Sequence, residues 1–418
     1  MDGGSQLPAL ALALLTARPR ARLGAHSQLL GRRGDIVHGV PVIPRAVLRH
    51  ATQHSVWESM PTAALFAAAA VTVSLMWFWW APRHGFRPRY RRVLHTLVAA
   101  GAVVSMLLGL AVGVNAYAGY APSWGALWGK ASAAPLRVPT QRSDVPAVNA
   151  DSSTVVSMRV ADAGGDIGGR TAYVYLPPGY FDEANEHARY PVVYLLHGIP
   201  GYAADWLLAG NLRRTMDVLL RAQQIQPMIV VMPQINSGFF DDSECLNFPG
   251  GEQDETYLTD TIVADVDASF RTLQTRTARA IGGMSAGGFC ALNLGLRHLD
   301  EFSVILSSEP YSDPGMSLVR RLHSWTLWRQ NAPRDYLPTM PLTHTVAVFL
   351  DAGSRDRHTL PTARWLAAEF AARGQYVALR VAPHQAHTWT AARLELPYSL
   401  VFANAHLQHA TGLGSVTA

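Results

Sequence analysis

The chain has 418 residues, 49% of them hydrophobic and 16% charged, which is enough apolar content for a large core and too much for an extended disordered chain. Its formal charge is +5, but the basic residues are nearly all arginine, with Lys130 the one lysine, and many fall in the first 92 residues around apolar segments. Membrane topology accounts for that clustering better than a phosphate-binding face, and no zinc-finger spacing, RNA-binding signature or basic-aromatic stripe argues for a nucleic-acid partner.

Residues 1–59 form a poorly defined N-terminal extension. Residues 7–16 are apolar but too short to span a bilayer, and the arginine-rich stretch after them lacks the Ala-x-Ala ending of a signal peptide. One expectation is that the natural start is Met60 and that the upstream residues are an extension of the reading frame. Residues 60–122 read as a two-helix transmembrane hairpin: 62–80 and 96–120 are uncharged, apolar and long enough to cross a bilayer. Arg83, Arg87, Arg89, Arg91 and Arg92 lie between them, and arginine-rich loops face the cytoplasm. Both ends of the hairpin, and everything after it, are therefore expected outside the cell membrane. Trp77, Trp79, Trp80 and Tyr90 suit the inner interface; Tyr117, Tyr120 and Trp124 suit the outer one. The competing reading is a buried helical hairpin of a soluble domain. Residues 123–152, rich in Pro, Ala, Ser and Gly, read as a linker.

Residues 153–409 are one domain's worth of sequence, followed by a tail over 410–418. The runs 154–160 and 171–176 look like an antiparallel opening pair. Residues 192–196, 228–232, 278–282, 304–306, 346–350 and 377–381 then read as central strands, with helix-like segments over 211–222, 259–272 and 362–373. Strands alternating with helices predict an α/β fold, a mostly parallel sheet flanked by helices, with the site at the carboxyl ends of its strands.

Gly283-Met284-Ser285-Ala286-Gly287 stands at such an end. The pentapeptide alone is a weak signal in an Ala/Gly-rich chain, but a short apolar strand leads in, and Phe289, Leu292 and Leu296 lead out on one helix face. A strand-to-helix turn exposes a serine for nucleophilic attack, and glycines at both flanks leave room for the neighbouring strand and helix. Such a serine needs a base and a carboxylate that orients the base. In this class of turn they follow the serine in the order acid, then histidine. The acid falls in Asp351-Ala352-Gly353-Ser354-Arg355-Asp356. Asp356, farther along the loop, is preferred to Asp351, which ends its strand. Of His384 and His387, the latter is preferred because it precedes a helical pattern, whereas His384 follows Pro383 on the loop. An oxyanion also needs backbone N–H donors. Ala286 is one candidate and Ile199, in His197-Gly198-Ile199-Pro200-Gly201, the other, with Gly198 allowing close approach of the chain.

The segments Val174-Tyr175-Leu176-Pro177-Pro178-Gly179-Tyr180 and Tyr190-Pro191-Val192-Val193-Tyr194-Leu195-Leu196-His197-Gly198, with the serine turn, resemble an esterase family of α/β-hydrolases over about residues 153–405. That family holds esterase D (S-formylglutathione hydrolase), the feruloyl esterases and the antigen-85-like mycolyltransferases, and Gly288-Phe289-Cys290 is closer to the simple esterases. The hairpin is similar to the N-terminal anchors of actinobacterial members. The resemblance implies an α/β-hydrolase fold, Ser285 as nucleophile, Asp356 as acid, His387 as base, and Ile199 and Ala286 as oxyanion donors. Trp206 after the oxyanion loop, and the segment 325–336, are expected to shape the acyl or alcohol pocket, with core packing as the alternative.

Cys245 and Cys290 are the two cysteines. In an oxidising compartment a disulfide between them would pin the loop 236–250 beside the site, the alternative being two buried thiols. No metal-ligand spacing is present, and this chemistry asks for no cofactor. The expected function is a membrane-anchored extracytoplasmic serine esterase acting on an ester or lipid substrate. The rivals are an acyltransferase using the same acyl-enzyme, with a sugar or lipid hydroxyl as acceptor, and a non-catalytic surface binding protein on the same fold.

Overall fold

Along the central strands alternate side chains enter two different cores. Val192, Tyr194 and Leu196 face one, and Val193 and Leu195 the other, as the two-residue period of a strand covered on both faces requires. The computed structural model describes residues 39–53, 59–83, 85, 87–120, 134–135, 152–161 and 168–414. Residues 1–38 and nearly all of the 123–152 linker, with Trp124, lie outside the described residues.

Among the described residues the sheet has nine strands: β1 (Ala134–Pro135), β2 (Thr154–Val160), β3 (Arg170–Leu176), β4 (Val192–Leu196), β5 (Ile229–Pro233), β6 (Arg279–Met284), β7 (Val304–Ser308), β8 (Ala347–Gly353) and β9 (Tyr376–Ala382). Their order is β1-β2-β3-β5-β4-β6-β7-β8-β9. β3 pairs antiparallel with both β2 and β5, whereas β5, β4, β6, β7, β8 and β9 run parallel. Helices Ala286–Arg297, Ile262–Ser269 and Thr359–Ala372 pack against one face, and Leu212–Arg221 and Trp389–His406 against the other. This is the α/β-hydrolase arrangement. The domain runs past residue 409, since Thr411 pairs with Arg189 and the Gly414 N–H donates to Asn185.

Helices Met60–Trp80 and Pro88–Ala118 each open with proline in the first turn, where its missing N–H breaks no helix bond. Both are long and apolar enough to cross a membrane, and only 6% of each apolar window is buried. They pack on each other through small residues: a side chain at Gly109 would sit 3.1 Å from the Ala63 carbonyl, and Ser105 Oγ donates to the Phe66 carbonyl at 2.8 Å.

The short helix Arg45–Ala51 precedes the hairpin and docks on Leu212–Arg221 of the hydrolase domain, where Arg214 donates to the His50 carbonyl at 2.7 Å. Residues 39–53 thus pack on the hydrolase domain. The segment after the second apolar helix is tied to the same domain. Arg393 donates to the Gly119 carbonyl at 2.9 Å and to the Ala209 carbonyl at 2.8 Å.

Candidate active site

β6 ends in a turn whose strain is local to Ser285, at φ 59° and ψ −121°, from which helix Ala286–Arg297 departs. A positive φ at a non-glycine residue costs about 1–3 kcal/mol and needs surroundings that enforce it. They do: the Ser285 N–H donates to the Ser308 carbonyl of β7 at 3.0 Å. A side-chain carbon at Gly283 would meet the Gly287 carbonyl at 2.3 Å, and one at Gly287 would meet the Leu196 carbonyl at 2.2 Å. The turn fits between β4 and its own helix because both positions lack a side chain.

Ser285 Oγ lies 2.8 Å from His387 Nε2, and His387 Nδ1 lies 2.9 Å from Asp356 Oδ2. Asp356 sits on the loop after β8 and Asp351 within the strand. The buried Asp356 carboxylate also accepts from the His358 and Thr359 N–H groups, at 2.9 and 3.1 Å, and from the Thr359 hydroxyl at 2.5 Å. Burial would raise its pKa, but these donors and His387 outweigh it and hold the carboxyl well below its usual range. Asp351 instead pairs with Arg380 at 2.5 Å. His384 takes a left-handed turn at φ 61° and is exposed, its N–H held by Ser354 Oγ at 2.8 Å.

Ile199 and Ala286 both border the cavity at Ser285. Ala286 opens its helix, so its N–H has no acceptor within the helix, and the helix dipole favours negative charge there. A buried histidine orders the Ile199 loop. His197 Nε2 accepts from the Ile235 N–H at 3.3 Å, which leaves the proton on Nδ1 to donate to the Gly198 carbonyl at 2.8 Å. Burial lowers the His197 pKa to about 4, so the ring stays neutral in this role. Gly198 is close enough to the serine that a side-chain carbon there would lie 3.4 Å from Ser285 Cβ.

Two cavities meet at Ser285. One, of about 330 Å³, is walled by residues 311–315 and Ser317 together with Asp242 and Glu244. Tyr311 Oη is 3.2 Å from Ser285 Oγ, and its ring stacks on His387 with centroids 6.1 Å apart. No motif or spacing in the chain marks this tyrosine. The Asp242 and Glu244 carboxyls hydrogen-bond to each other, and burial raises the pKa of both. The other cavity, of about 230 Å³, is more apolar and is lined by Ile199, Pro200, Met284 and Trp389, and by Tyr117, Ala118 and Tyr120 from the end of the second apolar helix. Tyr120 Oη donates to the Pro200 carbonyl, and its ring meets Trp389 edge-on at 6.2 Å. A larger cavity of about 780 Å³, between Arg45–Ala51 and Leu212–Arg221, holds none of the Ser285, His387 and Asp356 constellation.

Trp206 is corrected from pocket to core. It is buried, donates its indole N–H to the Leu196 carbonyl at 2.9 Å and packs edge-on against Trp389, because its short helix turns inward. The 325–336 segment stands behind the cavity: Trp328 donates to the Gly315 carbonyl at 2.8 Å and Arg334 pairs with Asp313 at 2.8 Å. Cys245 and Cys290 form a disulfide that ties the loop after β5 to helix Ala286–Arg297. Glu309, Asp356 and His387 present ligand-type atoms within 4.8 Å of one another. Both His387 nitrogens are already engaged, so the cluster is an acid pair around a histidine.

Beneath the site Asp351 and Glu395 are buried beside the half-buried Arg380. Burial first, then the Asp351 charge, raises the Glu395 pKa to about 8. A carboxyl raised in the folded state binds its proton more tightly there than when unfolded, so its contribution favours folding at low pH. That contribution is lost as pH climbs from the ordinary 4.5 to about 8. Glu395→Gln is therefore expected to flatten the decline in thermal midpoint over this range, measured by melting curves at several pH values; an unchanged slope would assign the decline elsewhere.

A serine on a strained strand-to-helix turn, followed in order by an acid and a histidine on a mixed sheet, fits the α/β-hydrolase pattern. A family model described as "Putative esterase" matches residues 168–408, and the chain belongs to that family. Among curated proteins, the chain is similar to an endo-1,4-beta-xylanase/feruloyl esterase of Xylanibacter ruminicola, 34% identical over 32% of this chain and 18% of that protein. An esterase of Mycobacterium tuberculosis is 32% identical over 30% of this chain and 25% of its own length. The matches thus span a quarter or less of either relative. A solved ferulic acid esterase shares the fold with a TM-score of 0.55 and 23% identity, over 62% of this chain and 99% of that one.

Proposed function

We propose that this chain is a serine carboxylic-ester hydrolase, held at a membrane by its N-terminal hairpin with the catalytic domain on the outer side. The observation that carries the reading is the unbroken hydrogen-bonded line from Ser285 through His387 to Asp356. In this reading His387 Nε2 takes the Ser285 proton as Oγ attacks the ester carbonyl, and Asp356 fixes the ring tautomer and balances the imidazolium. The Ile199 and Ala286 N–H groups receive the oxyanion. His387 then returns the proton to the departing alcohol, and water, activated the same way, releases the acid.

The two cavities support an ester whose acyl part is apolar and whose alcohol is polar. The side lined by Tyr117 and Tyr120 offers aromatic and aliphatic surface, and the side lined by Asp242 and Glu244 offers carboxyl groups for hydroxyls to meet. That acidic side also favours the second reading, in which a sugar hydroxyl replaces water as the acceptor. The arginine-rich turn between the two apolar helices supports the orientation. The test is the full chain in phospholipid vesicles, given p-nitrophenyl esters of graded acyl length with and without a disaccharide, alongside fluorophosphonate labelling. Labelling at Ser285 and release of free acid are expected. Acyl sugar as the main product would establish the transferase, and absence of both labelling and turnover would overturn the enzyme reading.

A further inference from the structure

We propose that Glu309 is a reserve acid for His387, a second carboxyl that takes over the ring when Asp356 is lost. The inference rests on the reading of His387 as the general base. Glu309 follows β7 directly, between the strand that carries Ser285 and the strand that precedes Asp356. Its backbone is left-handed at φ 52°, and its N–H donates to the Asp351 carbonyl at 2.7 Å, which turns the side chain inward. The carboxyl is fully buried, with Oε2 3.4 Å from His387 Nδ1, on the same nitrogen that Asp356 holds at 2.9 Å.

Neither Glu309 oxygen makes a well-formed hydrogen bond among the described residues, and the Thr388 N–H is the one backbone donor directed at it. An ionised carboxyl in that position would be costly. The groups that face it are acidic on three sides: Asp356 from the loop after β8, Asp351 from β8 and Glu395 from the last helix. Arg380, the nearby cation, is engaged by Asp351, and Tyr311 lies on the same side as His387. Burial, and then the Asp356 charge, hold Glu309 well above the usual carboxylate range, so it rests neutral while Asp356 carries the charge.

Removing the Asp356 carboxylate removes the nearest of those charges. Glu309 then ionises more easily and needs a shift of only about half an ångström to reach hydrogen-bond distance from Nδ1. It thereby becomes the group that selects the tautomer with Nε2 free to accept the Ser285 proton. Glu309 is a positioning residue, acting on the reaction through His387.

The test compares Ser285→Ala, Asp356→Ala, Glu309→Gln and the Asp356→Ala/Glu309→Gln pair in the full chain, with Asp356→Asn run in parallel as a variant that keeps the shape of the loop. Loss of the acid in a triad without a substitute lowers kcat by about 10⁴-fold. Asp356→Ala is expected to lose about 10²-fold, and adding Glu309→Gln to lose at least about tenfold more, on either the Ala or the Asn background. The pH profiles should differ as well: Asp356→Ala should show a rise of kcat reporting Glu309 ionisation in addition to whatever rise the double variant shows. Equal rates and equal pH profiles for single and double variants would overturn the proposal. Wild-type turnover by Ser285→Ala would instead overturn the reading of the site itself.

Discussion

Replacing Ser285 by alanine is expected to lower kcat/KM for a p-nitrophenyl ester by at least about 10⁴-fold and to abolish fluorophosphonate labelling. The size of the effect follows from the geometry. Ser285 Oγ is the one hydroxyl 2.8 Å from His387 Nε2, and the neighbouring Tyr311 hydroxyl, 3.2 Å from the serine, has its pKa raised by burial and is a poor substitute nucleophile. His387→Ala should cost about as much, and the double variant little more, because the two side chains act as one unit. Additive losses would mean that they serve different steps. Residual turnover above the uncatalysed rate is expected from binding and the oxyanion donors, whose positions these changes leave alone.

Gly287→Ala should damage the protein more than its one added carbon suggests. That carbon would lie 2.2 Å from the Leu196 carbonyl and 2.5 Å from the His197 carbonyl, both backbone atoms at the end of β4, so no side chain can rotate away. Relief requires moving the helix start away from β4, which separates Ala286 from Ile199 and opens the oxyanion donors. A loss of about 3 kcal/mol in stability is expected, with a fall of about 10²-fold in kcat in whatever remains folded. Gly238→Ala is the control, since nothing lies within 4 Å of the added carbon there. Urea unfolding and esterase rates on both variants check the contrast; equal behaviour would show that the turn is not tightly packed.

Much of the sheet was legible because its strands are short apolar runs bounded by turn residues. The expected 154–160 and 192–196 coincide with β2 and β4. β6 runs on to Met284 rather than stopping at Gly282, because glycines that look like a turn are there for close packing: a side chain at Gly282 would meet Leu306 Cβ at 2.9 Å. Ser285, Asp356 and His387, read from their places after strands, lie within hydrogen-bond distance of one another in series. Tyr311 could not be read that way, since no spacing rule ties a tyrosine on an irregular loop to a serine on another strand. Glu309 was hidden in Ser308-Glu309-Pro310, which reads as an ordinary turn, although an acid directly after the strand beside the serine turn is a usable signal. Trp206 misled because proximity in sequence to the Ile199 loop said nothing of which way its short helix faces. The docking of Gly119 on Arg393 joins residues 274 apart and leaves no local pattern.

The end of the second apolar helix supplies part of the wall around Ser285 through Tyr117 and Tyr120. With that helix in a bilayer, the serine would have a fixed height above the lipid surface and could not sample bulk solution by swinging on a tether. Its rate on a lipid ester would then follow the mole fraction of that ester in the two-dimensional surface rather than its total concentration. Diluting the substrate with inert lipid at constant bulk amount would slow the enzyme, and adding buffer would not.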